Sequence, residues 1–168
     1  HDALPILNDA IRGELALKKM GLNDTWIEGF RSPENENRIH QYFNDTDTYN
    51  FNPSLDLYGG GGFLSTSKDL AIYFQKLFNN KVYRYESTLD SMLAPVHYPE
   101  KPRMDYRKGM YLININGMDV YTHTGFWGTQ VIYIPSMNTS VAVNYSQVWD
   151  KRGPAPVLTE IISILQKH

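Results

Sequence analysis

The dipeptide Asn116-Gly117 constrains this chain more than any other feature. Both residue types tolerate positive φ, which a two-residue type I′ hairpin loop demands, and the pair between apolar runs is the strongest short-range hairpin signal. Before it, Met110, Leu112 and Asn114 alternate with Tyr111, Ile113 and Ile115. After it, Met118 to His123 is expected to return antiparallel. A third strand is expected from Gln130 to Ile134 and a fourth from Ser140 to Tyr145, separated by the turn residues Pro135-Ser136-Met137-Asn138. Four strands in sequence order with short links predict an antiparallel meander. Gly153-Pro154-Ala155-Pro156 then opens a final helix. Its Val157, Leu158, Ile161, Ile162 and Leu165 form an apolar face to lay on the sheet.

The residues before the meander read differently. Leu4, Leu7, Ile11 and Leu15 fit an amphipathic helix with Pro5 in its first turn, Gly21 past its end and Leu22 packing back on it. Residues Phe30 to Pro53 are polar and aperiodic, with Ile39, Tyr42 and Phe43 as scattered anchors. Such a stretch is either a surface excursion or the wall of a cleft. Gly59-Gly60-Gly61-Gly62 permits a tight crossing, but its spacing matches neither dinucleotide nor P-loop fingerprints. Thr66 and Asp69 have capping-box spacing, and Leu70, Tyr73, Phe74, Leu77 and Phe78 make one helical face ending at Asn79-Asn80. A short helix is expected from Ser87 to Leu93, halted before Pro95, and His97 to Lys108 reads as a linker. The expected class is α+β in a single incomplete domain, with helices and loops over 1–104 and the sheet plus C-terminal helix over 105–168.

Composition removes several function classes. A net charge of −2 and the lack of a basic run argue against a nucleic-acid partner. No apolar run approaches the ~20 residues that a membrane-crossing helix requires. The absence of cysteine excludes disulfides and thiolate zinc sites. His40, His97 and Asp45-x-Asp47 lack the spacing of a ligand pair, so neither a metal nor a cofactor is expected.

The chemistry that remains centres on Tyr121-Thr122-His123-Thr124-Gly125-Phe126-Trp127-Gly128. His123 closes a predicted strand, where a donor or cation can hold a carboxylate or orient a proton-transfer group. Gly125 lets backbone N–H groups approach a developing oxyanion. The local pattern fits equally a hydrogen-bonded strand histidine beside turn-forming glycines. Ser65-Thr66-Ser67-Lys68 matches S-x-x-K, the pattern of a lysine-activated serine, but the same residues form the helix cap. Tyr42-Phe43-Asn44 matches Tyr-x-Asn and is read as coincidence.

Taken in order, these stretches resemble the penicillin-recognising serine hydrolases, the group of class C β-lactamases, D-alanyl-D-alanine carboxypeptidases and related esterases. Lys19-Met20-Gly21-Leu22-Asn23-Asp24-Thr25 looks like the family's PLGM-x-x-T segment, with lysine in the place of proline. Gly60-Gly61-Gly62-Phe63-Leu64-Ser65-Thr66-Ser67-Lys68-Asp69-Leu70 looks like its GG-hydrophobic-x-S-T-x-x-D-L helix start. His123-Thr124-Gly125 looks like the K/H-T/S-G box on the strand lining the active site, and Tyr133-Ile134-Pro135 through Val143-Asn144 like its last hairpin.

In that family the S-x-x-K serine and the Tyr-x-Asn motif precede the PLGM segment. The resemblance therefore implies the C-terminal part of a larger enzyme, completed by an N-terminal part that supplies the nucleophile. It places Ser65 at a helix cap. It gives His123 the third-box position, holding a substrate carboxylate and a tyrosine from the absent part. Thr124 would hydrogen-bond the substrate, and the N–H of Phe126, just past Gly125, would be one of two oxyanion donors. Histidine in this box is more typical of D-peptidase and esterase-like members. The implied substrates are a small peptide, a β-lactam or an ester, with no cofactor, and the implied location is outside the cytoplasm. The last strand, Thr139 to Tyr145, would be an open edge, inviting a homodimer or a covering loop. The alternative is a non-catalytic binding or scaffold module derived from that fold.

Overall fold

The computed structural model describes residues 17–27, 38–52, 61–100, 104–148 and 155–167. In chain order the short first elements are β1 (Trp26–Ile27), β2 (Tyr42–Phe43), β3 (Thr46–Asp47) and β4 (Phe63–Leu64), followed by helices α1 (Ser67–Phe78) and α2 (Glu86–Leu93). Then come β5 (Asp105–Tyr106), β6 (Tyr111–Ile115), β7 (Met118–Thr124), β8 (Thr129–Ile134), β9 (Thr139–Asn144), β10 (Gln147–Val148) and α3 (Ala155–Leu165).

Asn116 and Gly117 take φ values of 52° and 82°, the pair of positive angles that the two-residue loop requires. They set the register of β6 on β7 from Ile115↔Met118 to Tyr111↔Thr122. The main sheet has the order β5-β6-β7-β8-β9, so every neighbour in sequence is a neighbour in space. The expected four-strand meander is corrected to five strands. β5 lies in the stretch read as a linker and pairs antiparallel through Asp105↔Leu112 and Tyr106↔Tyr111. Two residues carry no alternation to read, and only their partner makes them a strand. β9 is the outermost strand on the other side, and among the described residues no strand pairs beyond it in this sheet.

Alternation along β8 sends its side chains to two different cores. Ile132 and Ile134, with Val120 of β7, pack against Leu158 and Ile162 of α3, all fully enclosed. Val131 and Tyr133 face the other way, against Phe74 of α1. The sheet is therefore the middle layer between α3 and α1. Each such aliphatic side chain contributes about 1.5–3 kcal/mol by leaving water. Among the described residues no helix is long and apolar enough to cross a membrane.

The helix α1 starts as its capping box predicts, with Thr66 Oγ1 accepting the Asp69 N–H at 3.1 Å. Asp69 has a second role that the box does not reveal. Its side chain is buried, and its Oδ2 accepts the N–H of Asp24 and the hydroxyl of Thr25, each at 2.8 Å. Thr25 Oγ1 also lies 2.8 Å from Ser65 Oγ. This clasp joins the helix start to β1, which pairs antiparallel with β4 through Trp26↔Leu64. The body of the expected first helix lies outside the described residues. Its predicted end is present: Gly21, at φ 77°, donates to Lys18 O and Leu22 donates back to Leu17 O, both at 2.9 Å. These are the two bonds of a Schellman helix terminus. The short helix α2 begins one residue before expectation, at Glu86, and ends at Ala94, whose ψ of 143° is the extended value the following Pro95 favours.

The polar excursion is partly ordered into structure. β2 and β3 form a small hairpin about Asn44, and β10 pairs parallel with β2 through Gln147↔Tyr42. The chain reaches that position by bending out of the main sheet at Ser146, where φ is 55°. Asn144 Oδ1 accepts both the N–H and the hydroxyl of Ser146, and Ser146 O in turn accepts the Tyr42 N–H at 2.8 Å. The excursion is thereby fastened to the end of the sheet at which β7 terminates.

Candidate functional site

The last pair between β7 and β6 is Thr122↔Tyr111, whereas β7 stays paired with β8 to Thr124↔Gln130. His123 and Thr124 thus run past the end of one neighbour while the other still holds them. Gly125 donates its N–H to Thr129 O at 2.6 Å and accepts from Gly128 at 3.2 Å, so its polar backbone is spent inside the turn. Because successive strand residues direct their N–H groups to opposite sides, Thr124 directs its own away from β8, beyond the end of β6. Among the described residues none accepts the N–H of Phe126. His123, Thr124, Gly125 and Phe126 are all exposed, and the structure brings the four together along this free edge.

Behind that edge lies a pair of buried polar side chains that periodicity alone does not single out. Thr122 donates its hydroxyl to Val131 O at 2.8 Å and accepts from Gln130 Nε2 at 3.1 Å. Both side chains are buried, and Gln130 stands opposite Thr124. Leaving either without its partner carries a desolvation cost, so the pair locks β7 to β8 where the free edge begins. The signal available in the sequence was a polar residue at a core-facing position of each strand, Thr122 in phase with Val120 and Gln130 in phase with Ile132.

The two glycines of the stretch do different work. Gly128 has a φ of 80°, whereas Gly125 needs no positive φ, and a Cβ there would sit at an ordinary 3.4 Å from Thr129 Cβ. Gly128→Ala is therefore expected to cost about 1–2 kcal/mol, the penalty for a side chain in the left-handed region, and Gly125→Ala distinctly less. Urea unfolding of both variants checks this, and equal losses would refute it.

Two aromatic groups flank the edge. On the β6 side, the Tyr111 ring lies 6.3 Å from the His123 ring, and Tyr106 packs on Tyr111 at 4.6 Å. On the other side, Phe43 of β2 reaches Phe126 with centroids 6.2 Å apart and planes inclined by 15°. Trp127 meets the Phe126 ring edge-on at 5.1 Å. Phe43, read from sequence only as a scattered anchor, therefore belongs to the surroundings of the His-Thr-Gly stretch. That contact depends on the parallel pairing of β10 with β2, which no local pattern announces.

The remaining candidates sit elsewhere. The Ser65 hydroxyl is engaged with Thr25 in the clasp, and Lys68 is exposed on the first turn of α1. Tyr42 forms β2, and Asn44 turns the hairpin. His40 Nδ1 lies 2.6 Å from Asp47 Oδ2, and its ring stacks on Tyr49 at 4.3 Å. The Tyr49 N–H, and then the His40 contact, hold the Asp47 carboxyl below its usual range. Among the described residues no group of three or more histidine and carboxylate side chains is placed to hold a metal ion.

No protein-family model matches this chain, and none of the curated proteins does. Its fold is similar to that of a D-stereospecific amidohydrolase from Streptomyces sp., with a TM-score of 0.68 and 24% identity over 84% of this chain and 44% of that one. It is also similar to a D-amino acid amidase from Ochrobactrum anthropi SV3. The amidase complexed with L-phenylalanine amide gives a TM-score of 0.62 and 18% identity over 83% of this chain and 44% of that one. The same amidase complexed with D-phenylalanine gives 0.62 and 16% over 93% and 53%. The likeness is one of fold, and this chain spans about half the length of those enzymes.

Proposed function

We propose that this chain is the C-terminal portion of a serine acyl-hydrolase of the β-lactamase and D-peptidase type, and that His123 to Phe126 form one wall of its active site. The observation that carries the reading is the free edge of β7. His123 and Thr124 extend beyond β6 with their side chains exposed, and the N–H of Phe126 has no acceptor among the described residues. The shared fold of the D-stereospecific amidohydrolase and the D-amino acid amidase supports a hydrolase of the β-lactamase/transpeptidase-like fold acting on D-configured amides or peptides.

In this reading His123 binds the substrate carboxylate and Thr124 hydrogen-bonds the substrate. The Phe126 N–H donates to the oxyanion that forms when a serine attacks the scissile carbonyl; collapse of that intermediate expels the amine as the scissile bond breaks, and water then hydrolyses the acyl-serine. The serine is that of the S-x-x-K motif, in a portion of the protein outside these residues, because Ser65 lies just before the Thr66 cap of α1 with its hydroxyl engaged by Thr25. An oxyanion donor without nucleophile or base does not turn substrate over, so the 168-residue chain binds and does not hydrolyse.

D-alanyl-D-alanine is the probe. Titrated into the chain, it is expected to shift the backbone NMR signals of His123 to Phe126. His123→Ala should weaken that binding roughly tenfold through loss of one charge-assisted contact. Shifts confined to other parts of the chain, or hydrolysis that disappears in Ser65→Ala, would overturn the assignment.

A further inference from the structure

We infer that Phe43 and Phe126 form the side-chain subsite of this edge and that it takes an aromatic side chain. The inference rests on the reading of the His123–Phe126 edge as a substrate wall, and it adds the kind of residue that wall selects.

Phe126 directly follows Gly125, so any ligand held by His123, Thr124 and the Phe126 N–H passes beside the Phe126 ring. That ring is 56% exposed and Phe43 is 42% exposed, although the two lie nearly parallel at 6.2 Å. Aromatic pairs in offset stacking occupy this range of separations, and each adds a small attraction beyond the area it covers. Here both rings retain open surface that a third ring can cover.

Neighbouring elements support both rings. Phe43 is fixed by β2, which is paired on one side with β3 and on the other with β10. Phe126 is backed by Trp127 edge-on at 5.1 Å. A ligand ring therefore meets rings whose ordering cost has already been met, the condition under which apolar contact contributes most to affinity. Ligand sites characteristically combine such aromatic walls with a few placed polar groups. Here the polar groups are those of the adjacent edge.

The test compares two dipeptides that share a C-terminal carboxylate and differ in one side chain. D-phenylalanyl-D-alanine is expected to bind the 168-residue chain roughly tenfold more tightly than D-alanyl-D-alanine, with shifts at Phe43, Phe126 and Trp127 seen only for the former. Phe43→Leu keeps its position apolar without the ring, and should remove most of the preference while leaving D-alanyl-D-alanine binding in place. Equal affinities for the two dipeptides, both shifting His123, would overturn the subsite and leave the edge reading standing. Failure of both dipeptides to shift His123 would overturn the edge reading and the subsite with it.

Discussion

Replacing Asp69 by alanine is expected to destabilise the protein by about 3 kcal/mol, because the buried Thr25 hydroxyl and the Asp24 N–H lose their shared carboxylate acceptor at once. For a protein of this size that corresponds to a fall in melting temperature of about 6–12 °C. Asp69 is only 2% exposed, and its Oδ2 is the shared acceptor of the Asp24 N–H and the Thr25 hydroxyl. Hydrogen bonds to charged groups are worth about 1.5–3 kcal/mol, and truncation also strands the buried Thr25 hydroxyl. The negative charge in the first turn of α1 adds about 0.3–1 kcal/mol through the helix dipole. The capping bond itself survives, since Thr66 accepts from the backbone N–H of Asp69. The loss is thus assigned to the clasp, with the smaller dipole contribution added to it.

Two further variants separate the contributions. Asp69→Asn keeps the shape and one carbonyl acceptor, so it should lose about half as much by the same reckoning. Thr25→Val removes one of the two donors to Asp69 together with the partner of the Ser65 hydroxyl, and should cost about 1–2 kcal/mol. A loss below about 1 kcal/mol for Asp69→Ala, within the range of an ordinary surface change, would show that the clasp is not structural. The arrangement also explains why the Asn23-Asp24-Thr25 and Ser65-Thr66-Ser67-Lys68-Asp69 stretches belong together in one sequence. Each supplies half of a buried contact bridging residues far apart in the chain.

What the sequence made legible follows from the range of the physical signal. Asn116-Gly117 fixes its turn through two local φ values, and the strands beside it alternate with period two, so β6 to β9 can be read within short windows. The cap of α1 is equally local, spanning Thr66 to Asp69. The stretch from His123 to Phe126 was visible because a histidine, a threonine and a glycine stood at the end of a recognisable strand. Its free edge was not visible, because it depends on β6 ending at Tyr111. β5 was missed for want of length. β2, β3 and β10 carry no readable alternation because each is only two residues long, and the pairing of β10 with β2 is long-range as well. The role of Phe43 was lost with them, since its contact with Phe126 exists only after β10 has brought the excursion to the sheet. Thr122 and Gln130 occupy apolar positions in the pattern, and only the structure reveals that they satisfy one another.

Ile132→Ala should carry a large cost, about 3–4 kcal/mol from lost transfer energy and the cavity left behind. Ile132 is fully enclosed, packed with Val120, Ile134, Leu158 and Ile162. Its strand is paired on both sides, with Ile132 opposite Thr122 of β7 and Val141 of β9, and has α1 packed on its other face. A backbone held from four directions cannot move in to fill the space, which places the residue toward the upper part of the range for isoleucine to alanine. Val157→Ala is the matched control and should change stability by less than about 0.5 kcal/mol, since Val157, expected from its spacing on the sheet-facing side of α3, is instead exposed at the start of that helix. The site should respond as well. Ile132 precedes Tyr133 and follows Val131, the residue paired with His123, so loosening β8 loosens the ladder that holds the free edge. Amide exchange of His123 and Thr124 should accelerate in Ile132→Ala, and their binding of D-alanyl-D-alanine should weaken. Unchanged exchange at those two residues alongside a full loss of global stability would mean that the edge is ordered by its own turn, through Gly125, Gly128 and Thr129, and not by the core beneath it.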